Sequence, residues 1–531
     1  MKRTPKTFVA LLLAVLMVAS CLPACALAEE KMEISYYGMW AEDLQDGSYC
    51  EKLIEDALNV DVKTMQINTS SVEQVNLMLA SGEMPDFGWY DKTVEFMHDE
   101  ELARTIPVEM VKKYAPSFIA AYDEMPVLYT QTLSKSDPTQ FEYLTGVHDS
   151  FGGKVYISSD FYRYDWIKAL GIDLGVEVTQ IDDRIYAANA GISTEKFAEI
   201  LNAFTNKDPD GNGKNDTIGM STQGVARADL MWSGFNMISG ANNLDGKTAM
   251  NYAMPQYKDA IKFFRGLYAD GLIDKEWLTQ SRDQAWEKCN SGYAGYWHES
   301  TIAFNPWASD RPPLSLLAAN PTAEILVTPG LASSDGKVYM RKECTPARGS
   351  CFINRNVSDE KLAKILEILE YVFNGPQLYS FHFGEENVDW KMEDGKVTII
   401  NALKGGEKGT RVFSEYFKHG DMWKAQNASK AFLDNGKQFW IDDGIWNQYL
   451  INPYKQDLKS ETDYEELSTE YSGDLKDVVA AYFMDCILGK KDVDTSWDAY
   501  MEELNRNGYQ KMMDELDKLP TVDEILADFQ K

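Results

Sequence analysis

The stretch Met32-Glu-Ile-Ser-Tyr-Tyr-Gly-Met39 alternates apolar and polar side chains and leads into Trp40, which is typical of a β-strand with one buried face. Residues 49–58 carry apolar side chains at helical spacing, and residues 60–67 alternate again. A strand, a helix and a second strand in succession predict two parallel strands joined by a crossover helix. The chain is therefore predicted to open as an α/β fold with a parallel sheet.

The same two periodicities continue along the rest of the chain. Residues 72–79 present one apolar helical face, and Gly82 follows in the position where helices usually end. Further helices are predicted over residues 257–268, 362–373 with Ser358 as N-cap, and 475–483, and further strands at residues 325–327, 351–353 and 397–400. A mature chain of about 500 residues exceeds what one hydrophobic core usually serves, so two lobes or more are predicted.

The N-terminus predicts export. A basic start is followed by an apolar run over residues 8–19, which is too short to span a bilayer comfortably. Three cleavage sites compete: the lipoprotein-type order Val18-Ala19-Ser20-Cys21, a poorer copy ending at Cys25, and an A-x-A site ending at Ala28. We expect a signal over residues 1–28, with lipidation of Cys21 at the outer face of the cytoplasmic membrane. Cleavage after Ala28 would instead leave a periplasmic or secreted protein.

The charge of the chain excludes two classes of partner. The formal net charge is −31, and removal of residues 1–28 takes away three basic residues and no acidic one, which moves it to about −34. A surface this acidic repels nucleic acid and anionic lipid. We therefore expect no nucleic-acid partner, and membrane contact only through an N-terminal lipid.

Residues 208–216, Asp-Pro-Asp-Gly-Asn-Gly-Lys-Asn-Asp, have the order of an EF-hand-like loop. Ca²⁺ binds several oxygen ligands at once, and the loop offers them at alternate positions. The bidentate glutamate of a full EF-hand is missing, because the twelfth position is Gly219. The loop predicts a structural Ca²⁺ site, with an ordinary turn without metal as the alternative. The predicted ligands are Asp208, Asp210, Asn212, the carbonyl of Lys214, and Asp216.

Candidate ligand contacts follow the predicted strands, because ligands of open α/β folds lie beyond the carboxyl ends of strands. Aromatic rings flanked by carboxylates and amides suit a saccharide, whose ring faces are apolar and whose rim carries hydroxyl groups. A basic residue near a return of the chain, Arg348, suits bidentate contact with an acidic sugar. The candidates are Trp40, Trp89, Tyr90, Asp91, Asp160, Gln223, Trp232, Trp297, Glu299 and Arg348.

Each candidate also has an ordinary structural interpretation. Core packing accounts for any single tryptophan as well as ligand contact does. Arg348 equally suits a surface or lobe–lobe salt bridge, which usually contributes little stability. The prediction of a ligand site therefore rests on the group of residues at strand ends.

The sequence favours a binding protein over an enzyme. It has no G-x-S-x-G, H-E-x-x-H or phosphate-binding loop, and its five cysteines beyond residue 28 include no C-x-x-C pair. With 83 acidic residues, some carboxylate pair always lies near the separation used by glycosidases, so counting carboxylates decides nothing. Two alternatives to a binding protein that supplies a transporter stay open. One is a secreted glycoside hydrolase or lyase, and the other is a sugar sensor that serves no transporter.

Five segments in consistent order resemble one known family. They are similar to the extracellular solute-binding proteins of family 1, in the long lipoprotein-type branch that includes alginate-oligosaccharide binders. The segments are residues 75–86, 153–157 with 163–172, 257–278, 487–489 and 497–501.

The resemblance implies a type II, two-lobe fold like that of periplasmic binding proteins, with the ligand cleft between the lobes. Lobe one would comprise residues 29–157 and about 345–425, and lobe two about 158–344 and 426–531. It implies a monomeric substrate-binding component of an ABC importer that captures an oligosaccharide or other small solute by lobe closure. Membrane permease subunits would be its partners, with Ca²⁺ at residues 208–216 and no organic cofactor. Residues 181–191 depart from the family as an insert-like run at a cleft edge, so ligand identity is not carried over.

Overall fold

A computed structural model describes residues 31–147 except 43 and 70, 158–222, 231–300 except 245–246, 311–341, 347–417 except 394–395, 435, 438–439, 444–451, 461–521, 524 and 527. The predicted signal with its cleavage sites, the lipidation residue Cys21 and the candidate contact Gln223 lie outside these residues. Within them, no helix is both long enough and apolar enough to cross a membrane.

The strands of the described residues are numbered here in chain order. They are β1 (Met32–Tyr37), β2 (Val60–Thr64), β3 (Phe87–Tyr90), β4 (Ala103–Arg104), β5 (Ile106–Pro107), β6 (Gln140–Phe141), β7 (Leu144–Val147), β8 (Ser158–Arg163), β9 (Val178–Asp182), β10 (Ile185–Ala188), β11 (Ile192–Ser193), β12 (Ile218–Met220), β13 (Ala241–Leu244), β14 (Lys247–Met250), β15 (Ala294–Ser300), β16 (Ile325–Thr328), β17 (Leu331–Ala332), β18 (Met340–Arg341), β19 (Ala347–Asn354), β20 (Trp390–Glu393), β21 (Lys396–Ile399) and β22 (Leu450–Ile451).

The α-helices are numbered in the same way. They are α1 (Tyr49–Leu58), α2 (Val72–Ser81), α3 (Val94–Asp99), α4 (Val108–Tyr114), α5 (Pro116–Glu124), α6 (Val127–Thr132), α7 (Tyr164–Ala169), α8 (Thr194–Asn206), α9 (Pro255–Ala269), α10 (Arg282–Asn290), α11 (Leu314–Ala319), α12 (Asp359–Asn374), α13 (Leu378–Phe383), α14 (Glu461–Ile487), α15 (Val493–Arg506) and α16 (Tyr509–Leu516).

The first sheet has the strand order β2-β1-β3-β19-β4, with β7 also paired to β19. β1 pairs in parallel with β2 and β3, as the opening strand–helix–strand pattern predicts. β19 runs antiparallel to β3, β4 and β7. The expectation of a parallel sheet is therefore wrong beyond the first three strands. The chain leaves this sheet at Val147 and re-enters beside it at Ala347, so β19 must run in the opposite direction.

The second sheet has the order β12-β15-β8-β16-β10-β9 and is also mixed. β8 is antiparallel to both of its neighbours, so its first residues lie at the edge where β15 and β16 end. Residues 181–191 were expected to form an insert at a cleft edge. Most of this run belongs to the β9–β10 hairpin, and β10 pairs in parallel with β16. The run therefore extends the second sheet.

Separate hydrophobic cores accompany the two sheets. One core joins residues of the first sheet to α12, including Ile34, Phe87 and Leu366. Another joins the second sheet to α9 and the C-terminal helices, including Tyr296 and Phe483. The lobe boundaries stay a prediction. In their support, the strands of the first sheet come from residues 32–147 and 347–354, and those of the second sheet come from residues 158–328.

The predicted helix boundaries are confirmed where the sequence offered capping residues. Ser358 is the N-cap of α12 and accepts a hydrogen bond from the backbone N–H of Lys361. Gly82 follows α2 with φ of 75°, the left-handed conformation that glycine adopts without strain. The helix over residues 49–58 has the predicted bounds and begins with a capping box between Ser48 and Glu51.

Asp86, immediately before β3, ties three elements of the first sheet together. Its carboxylate accepts hydrogen bonds from the backbone N–H of Ser35 at 2.7 Å and from Nζ of Lys361 on α12 at 2.8 Å. Its carbonyl accepts from the backbone N–H of Asn354 at 2.9 Å. The carboxylate is 18% exposed, so these contacts are largely protected from solvent. One side chain thus fixes β1, β3 and α12 relative to one another.

Replacement Asp86→Ala is expected to destabilise the protein by about 2 to 3 kcal/mol, because it leaves Ser35 N–H and the Lys361 ammonium without their partner. Thermal and urea unfolding measure the change. Asp359→Ala is the control, since Asp359 also pairs with an arginine at 2.7 Å but is 74% exposed. This control should lose less than about 1 kcal/mol. Equal losses in the two variants would contradict the role given to Asp86.

Candidate functional site

The carboxyl ends of β1 and β3 lie side by side and carry stacked aromatic rings. The rings of Tyr37 and Tyr90 are 4.8 Å apart with an interplanar angle of 24°. Trp89 packs against Tyr416, with ring centroids 4.5 Å apart and an angle of 26°. Asp91 follows β3 and is exposed, whereas Trp89 and Tyr90 are each 3% exposed. The predicted residues at this edge are therefore together, with Asp91 presented to solvent and the rings mostly packed against one another.

Tyr416 was not predicted, and it is held at this edge by close backbone packing. A Cβ added to Gly349 in β19 would lie 2.5 Å from its ring, and one added to Gly146 in β7 would lie 2.4 Å from its carbonyl oxygen. Both positions therefore require glycine for Tyr416 to lie over the strands. No strand or helix periodicity marks residues 411–417, so sequence reasoning had no signal for this residue.

Trp40 follows β1 in a strained backbone conformation. Its φ is 63°, which is uncommon for a residue with a bulky side chain. Its half-buried ring lies 5.2 Å from the guanidinium of Arg411 and packs on Gly405. Its indole Nε1 is buried without a hydrogen-bond partner among the described residues. Such strain persists only where surrounding contacts fix it, and it is concentrated at functional sites.

The second sheet corrects the placement of three predicted contacts. Asp160, Trp297 and Glu299 were expected to follow strands, but Asp160 lies within β8 and the other two lie within β15. Among the described residues β8 comprises Ser158–Arg163, so Asp160 lies inside a strand. These residues still lie at one edge, because β8 starts where β15 ends.

A buried polar cluster occupies one face of the sheet at this edge. The Tyr296 hydroxyl donates to Asp160 Oδ1 at 2.7 Å, and His298 Nδ1 lies 3.1 Å from the same oxygen. The side chains of Asp160 and His298 are 0% exposed. Burial and the nearby Asp160 raise the pKa of Tyr296 well above its ordinary value, so its hydroxyl remains a donor at neutral pH. The three groups form a fixed hydrogen-bonded unit.

The opposite face carries Trp297 and Glu299. Trp297 is 1% exposed and stacks on Phe161, with centroids 5.6 Å apart, so its ring belongs to the core. Glu299 Oε2 accepts from Nε1 of Trp286 at 3.1 Å. Trp286, another residue that sequence reasoning missed, lies on α10 beneath the guanidinium of Arg282 at 4.4 Å. Its helical position hid it from a rule based on strand ends.

A small cavity of about 10 Å³ is lined by residues that include Trp297, His298 and Glu299 of β15. That volume has room for about one water-sized group. The residues that line it are Ser221, Thr222, Arg282, Ala285, Trp286, Cys289, Trp297, His298 and Glu299.

Two further candidates have structural roles. Trp232 is 2% exposed, and its ring is covered by Tyr257 at 5.3 Å and Phe264 at 6.1 Å. Its ring therefore packs in the core, and the ligand contact expected of Trp232 stays a prediction. Arg348 lies inside β19, where its Nη1 donates to the carbonyl of Ala347 at 2.8 Å. The acidic-sugar contact proposed for Arg348 stays a prediction.

A larger cavity, of about 400 Å³, lies beside α3 and α6 in the first lobe. Its walls include His98, whose Nε2 lies 3.0 Å from Oε2 of Glu142. None of the predicted ligand contacts lines this cavity.

The acidic loop at residues 208–216 turns its carboxylates inward. Asn212 Nδ2 donates to Asp210 Oδ2 at 2.8 Å and to Asp216 Oδ1 at 3.0 Å. Asp208 accepts from the backbone N–H of Gly213 at 2.9 Å. Among the described residues, no three His, Cys, Asp or Glu side chains are grouped so as to hold a metal ion. The loop thus has converging acceptors but is internally hydrogen-bonded.

Comparison with known proteins gives concordant results from sequence and fold, although no family model matches the chain. The chain is 23% identical to the fructooligosaccharide ABC transporter substrate-binding protein FusA of Streptococcus pneumoniae over 502 residues, which cover 86% of the chain and 84% of FusA. It is 26% identical to lipoprotein LipO of Bacillus subtilis, where the match spans 55% of the chain and 56% of LipO. The chain is thus similar in sequence to substrate-binding proteins of ABC transporters over most of its length.

Solved structures of solute-binding proteins share the fold. The alginate-binding protein AlgQ2, in a structure without calcium ion, superposes with a TM-score of 0.68 and 17% identity over 92% of the chain and 97% of AlgQ2. FusA in complex with kestose superposes with a TM-score of 0.69 and 17% identity over 94% of the chain and 100% of FusA. The predicted fold class, an α/β fold of two lobes, is confirmed.

Alkaline pH is expected to destabilise the protein through Tyr37. Burial, reinforced by Asp91, raises the pKa of Tyr37 to about 12, above the ordinary value of about 10. Because the folded pKa is the higher one, stability is intact below pH of about 10 and is lost as pH rises to about 12. The free energy of unfolding should therefore fall less between pH 9 and pH 11.5 in Tyr37→Phe than in wild type. We expect the difference to be about 1 to 2 kcal/mol, which allows for screening by solvent. Urea unfolding at pH 9 and 11.5 measures it, and an unchanged loss would contradict the assignment.

Proposed function

We propose that the chain is the substrate-binding component of an ABC importer and captures an oligosaccharide outside the cytoplasm. The observation that carries this proposal is the similarity to FusA, a protein named for fructooligosaccharide, over 86% of the chain. Solved structures of similar fold are named as complexes with kestose and with the glycan Man5GlcNAc. A saccharide is the ligand class that these names share.

The residues at the two sheet edges support this proposal. The first lobe offers the half-buried rings of Trp40 and of Tyr416, which stacks on the buried Trp89, and the exposed carboxylate of Asp91. The second lobe offers Asp160, His298 and Glu299. Apolar ring faces suit aromatic side chains, and sugar hydroxyl groups suit carboxylates and imidazole. Both sets lie at strand ends, where ligands of open α/β folds bind.

Binding would proceed by closure of the lobes about the ligand. A ligand shifts an open–closed equilibrium only by its differential affinity for the two states. A ligand that contacts both lobes only when they are shut has such a difference, so binding favours the closed form. Permease subunits in the membrane would recognise that form. No covalent step is required, and the similar proteins are named as binding proteins, which supports a role without catalysis.

Attachment and location follow the same proposal. Export with a lipid on Cys21 would keep a monomer at the outer face of the cytoplasmic membrane, beside its permease. The lipoprotein name of LipO supports this arrangement. Cleavage after Ala28 would release the protein instead.

A thermal-shift panel of kestose, a neutral N-glycan fragment, oligoalginate and a tripeptide tests the proposal. A saccharide at a hundredfold excess over its dissociation constant should add about 2.7 kcal/mol of stability, and chromatography should find it uncleaved. Trp40→Ala should weaken that binding by about tenfold. Trp497→Ala, another half-buried tryptophan, is the control and should not. Stabilisation by the tripeptide alone, or cleavage of the sugar, would overturn the proposal.

We further propose that the loop at residues 208–216 holds a structural Ca²⁺. The ligand set fits: three carboxylates, the Asn212 amide oxygen and the Lys214 carbonyl are hard oxygen donors. Asp210 and Asp216 already converge on the Asn212 amide group, so rotation of that amide would point its oxygen at their common centre. A structure of FusA described as an EF-hand mutant supports the proposal. The ion would fix the loop between α8 and β12.

Calcium binding is measured by titration calorimetry after chelation, and by the melting temperature with and without Ca²⁺. Ca²⁺ should raise the melting temperature, and the double variant D208N/D210N should abolish both the heat and the rise. Asp335→Asn, at an exposed turn elsewhere, is the matched control and should leave both unchanged. Binding that survives D208N/D210N would place the ion elsewhere.

A further inference from the structure

The described residues of the second lobe contain several buried polar atoms without a hydrogen-bond partner, and two of them are acceptors on the paired strands β8 and β15. Asp160 Oδ2 and His298 Nε2 have no hydrogen-bond partner among the described residues, and both side chains are 0% exposed. Leaving a buried polar group unpaired is costly, so nearly all such groups in proteins are paired with protein, water or ligand. We call these two residues the acceptor pair.

The hydrogen bonds that the acceptor pair does make determine its chemistry. Asp160 Oδ1 receives the Tyr296 hydroxyl, and it lies 3.1 Å from His298 Nδ1. A carboxylate only accepts hydrogen bonds, so Nδ1 must carry a proton. We assign the tautomer with the proton on Nδ1 alone, in which the other nitrogen, Nε2, is an acceptor. Asp160 Oδ2 is an acceptor as well, so both unmatched atoms require a donor.

The strand register fixes the acceptor pair in place. His298 is directly opposite Asp160, and Tyr296 is directly opposite Tyr162, in the antiparallel pairing of β15 with β8. The Tyr162 and Tyr296 rings pack 5.0 Å apart beneath them. His298 also lines the cavity of about 10 Å³, which has room for one water-sized group. A sugar hydroxyl has that size and carries the proton that an acceptor needs.

We propose that Asp160 and His298 determine specificity for a neutral saccharide, by accepting hydrogen bonds from its hydroxyl groups. This inference rests on the proposed function and names the class of saccharide. A uronate carboxylate brings no proton, and it would meet the charge of Glu299, which lines the cavity with His298, and that of Asp160, which is bonded to His298 behind it. Arg282 lines the cavity too, but its guanidinium lies over Trp286 and 3.6 Å from Asp283. The acceptor pair therefore disfavours a uronate carboxylate at this position.

The test compares affinities of the full mature protein for kestose and for oligoalginate by titration calorimetry. Wild type should prefer kestose, and His298→Gln and Asp160→Asn should each weaken kestose binding by about 10- to 100-fold. Asp160→Asn should also narrow the preference for the neutral sugar over the uronate, since it removes the repelling charge. The ratio of the two affinities, for kestose and for oligoalginate, shows whether Asp160 contacts the sugar. A purely structural role would lower both affinities by the same factor and leave this ratio unchanged.

His98→Gln is the matched control. His98 also pairs with a carboxylate, at 3.0 Å from Glu142, but in the other lobe. This variant should keep wild-type affinities. An equal loss in His98→Gln and His298→Gln, unchanged binding in His298→Gln, or a preference of wild type for oligoalginate would each overturn the inference. If wild type binds no saccharide, the proposed function fails instead.

Nuclear magnetic resonance of wild type gives a second test that does not depend on folding of the variants. With ¹⁵N-labelled histidine, His298 should show a protonated Nδ1 and an unprotonated Nε2. Its Nε2 resonance should shift when kestose saturates the protein, as it acquires a donor. A resonance unchanged at saturation would overturn the inference.

Discussion

The return of the chain through β19 is the constraint on which the two-sheet architecture depends. Ala347 pairs with Val147, so β7 and β19 are adjacent in the first sheet. All strands of the second sheet lie between these two strands in the sequence. β19 then runs along β3, placing Ser350 opposite Tyr90 and Ile353 opposite Phe87. Each sheet can therefore build its own core while the chain crosses between them at neighbouring points.

The return of the chain through β19 also explains the aromatic packing at the carboxyl ends of β1 and β3. Where β19 meets β7 the register shifts between Arg348 and Ser350, and Gly349 adopts φ of 67°. A bulge of this kind bends the strand and makes room above it. The ring of Tyr416 fills that room and stacks on Trp89. One irregularity in pairing thus converts a strand end into an aromatic surface.

Sequence periodicity predicted local structure better than side-chain roles. The helix over residues 49–58 and the caps at Gly82 and Ser358 follow from short-range physics, and they were predicted correctly. Tyr416 and Trp286 were missed because contacts distant in sequence position them. The burial of Trp232 was likewise not predictable, since a loop-like stretch does not reveal that Tyr257 and Phe264 cover its ring. The fold class was predictable, whereas burial of individual rings depends on tertiary packing.

The second sheet places Asp160 and His298 before a ligand binds, and this preorganisation favours some ligand groups over others. The pairing of β8 with β15 buries Asp160 and His298 when the lobe folds, so the cost of removing water from them is met before any ligand arrives. The Tyr296 hydroxyl and the shared Oδ1 then hold the imidazole, which limits its freedom to turn a donor toward an anion. Because a fixed site distinguishes ligands by the partners it leaves unpaired, two rigid acceptors reward a hydroxyl group and penalise a carboxylate. Folding of the sheet thus fixes the positions of Asp160 and His298, and these fixed positions determine the specificity of the site.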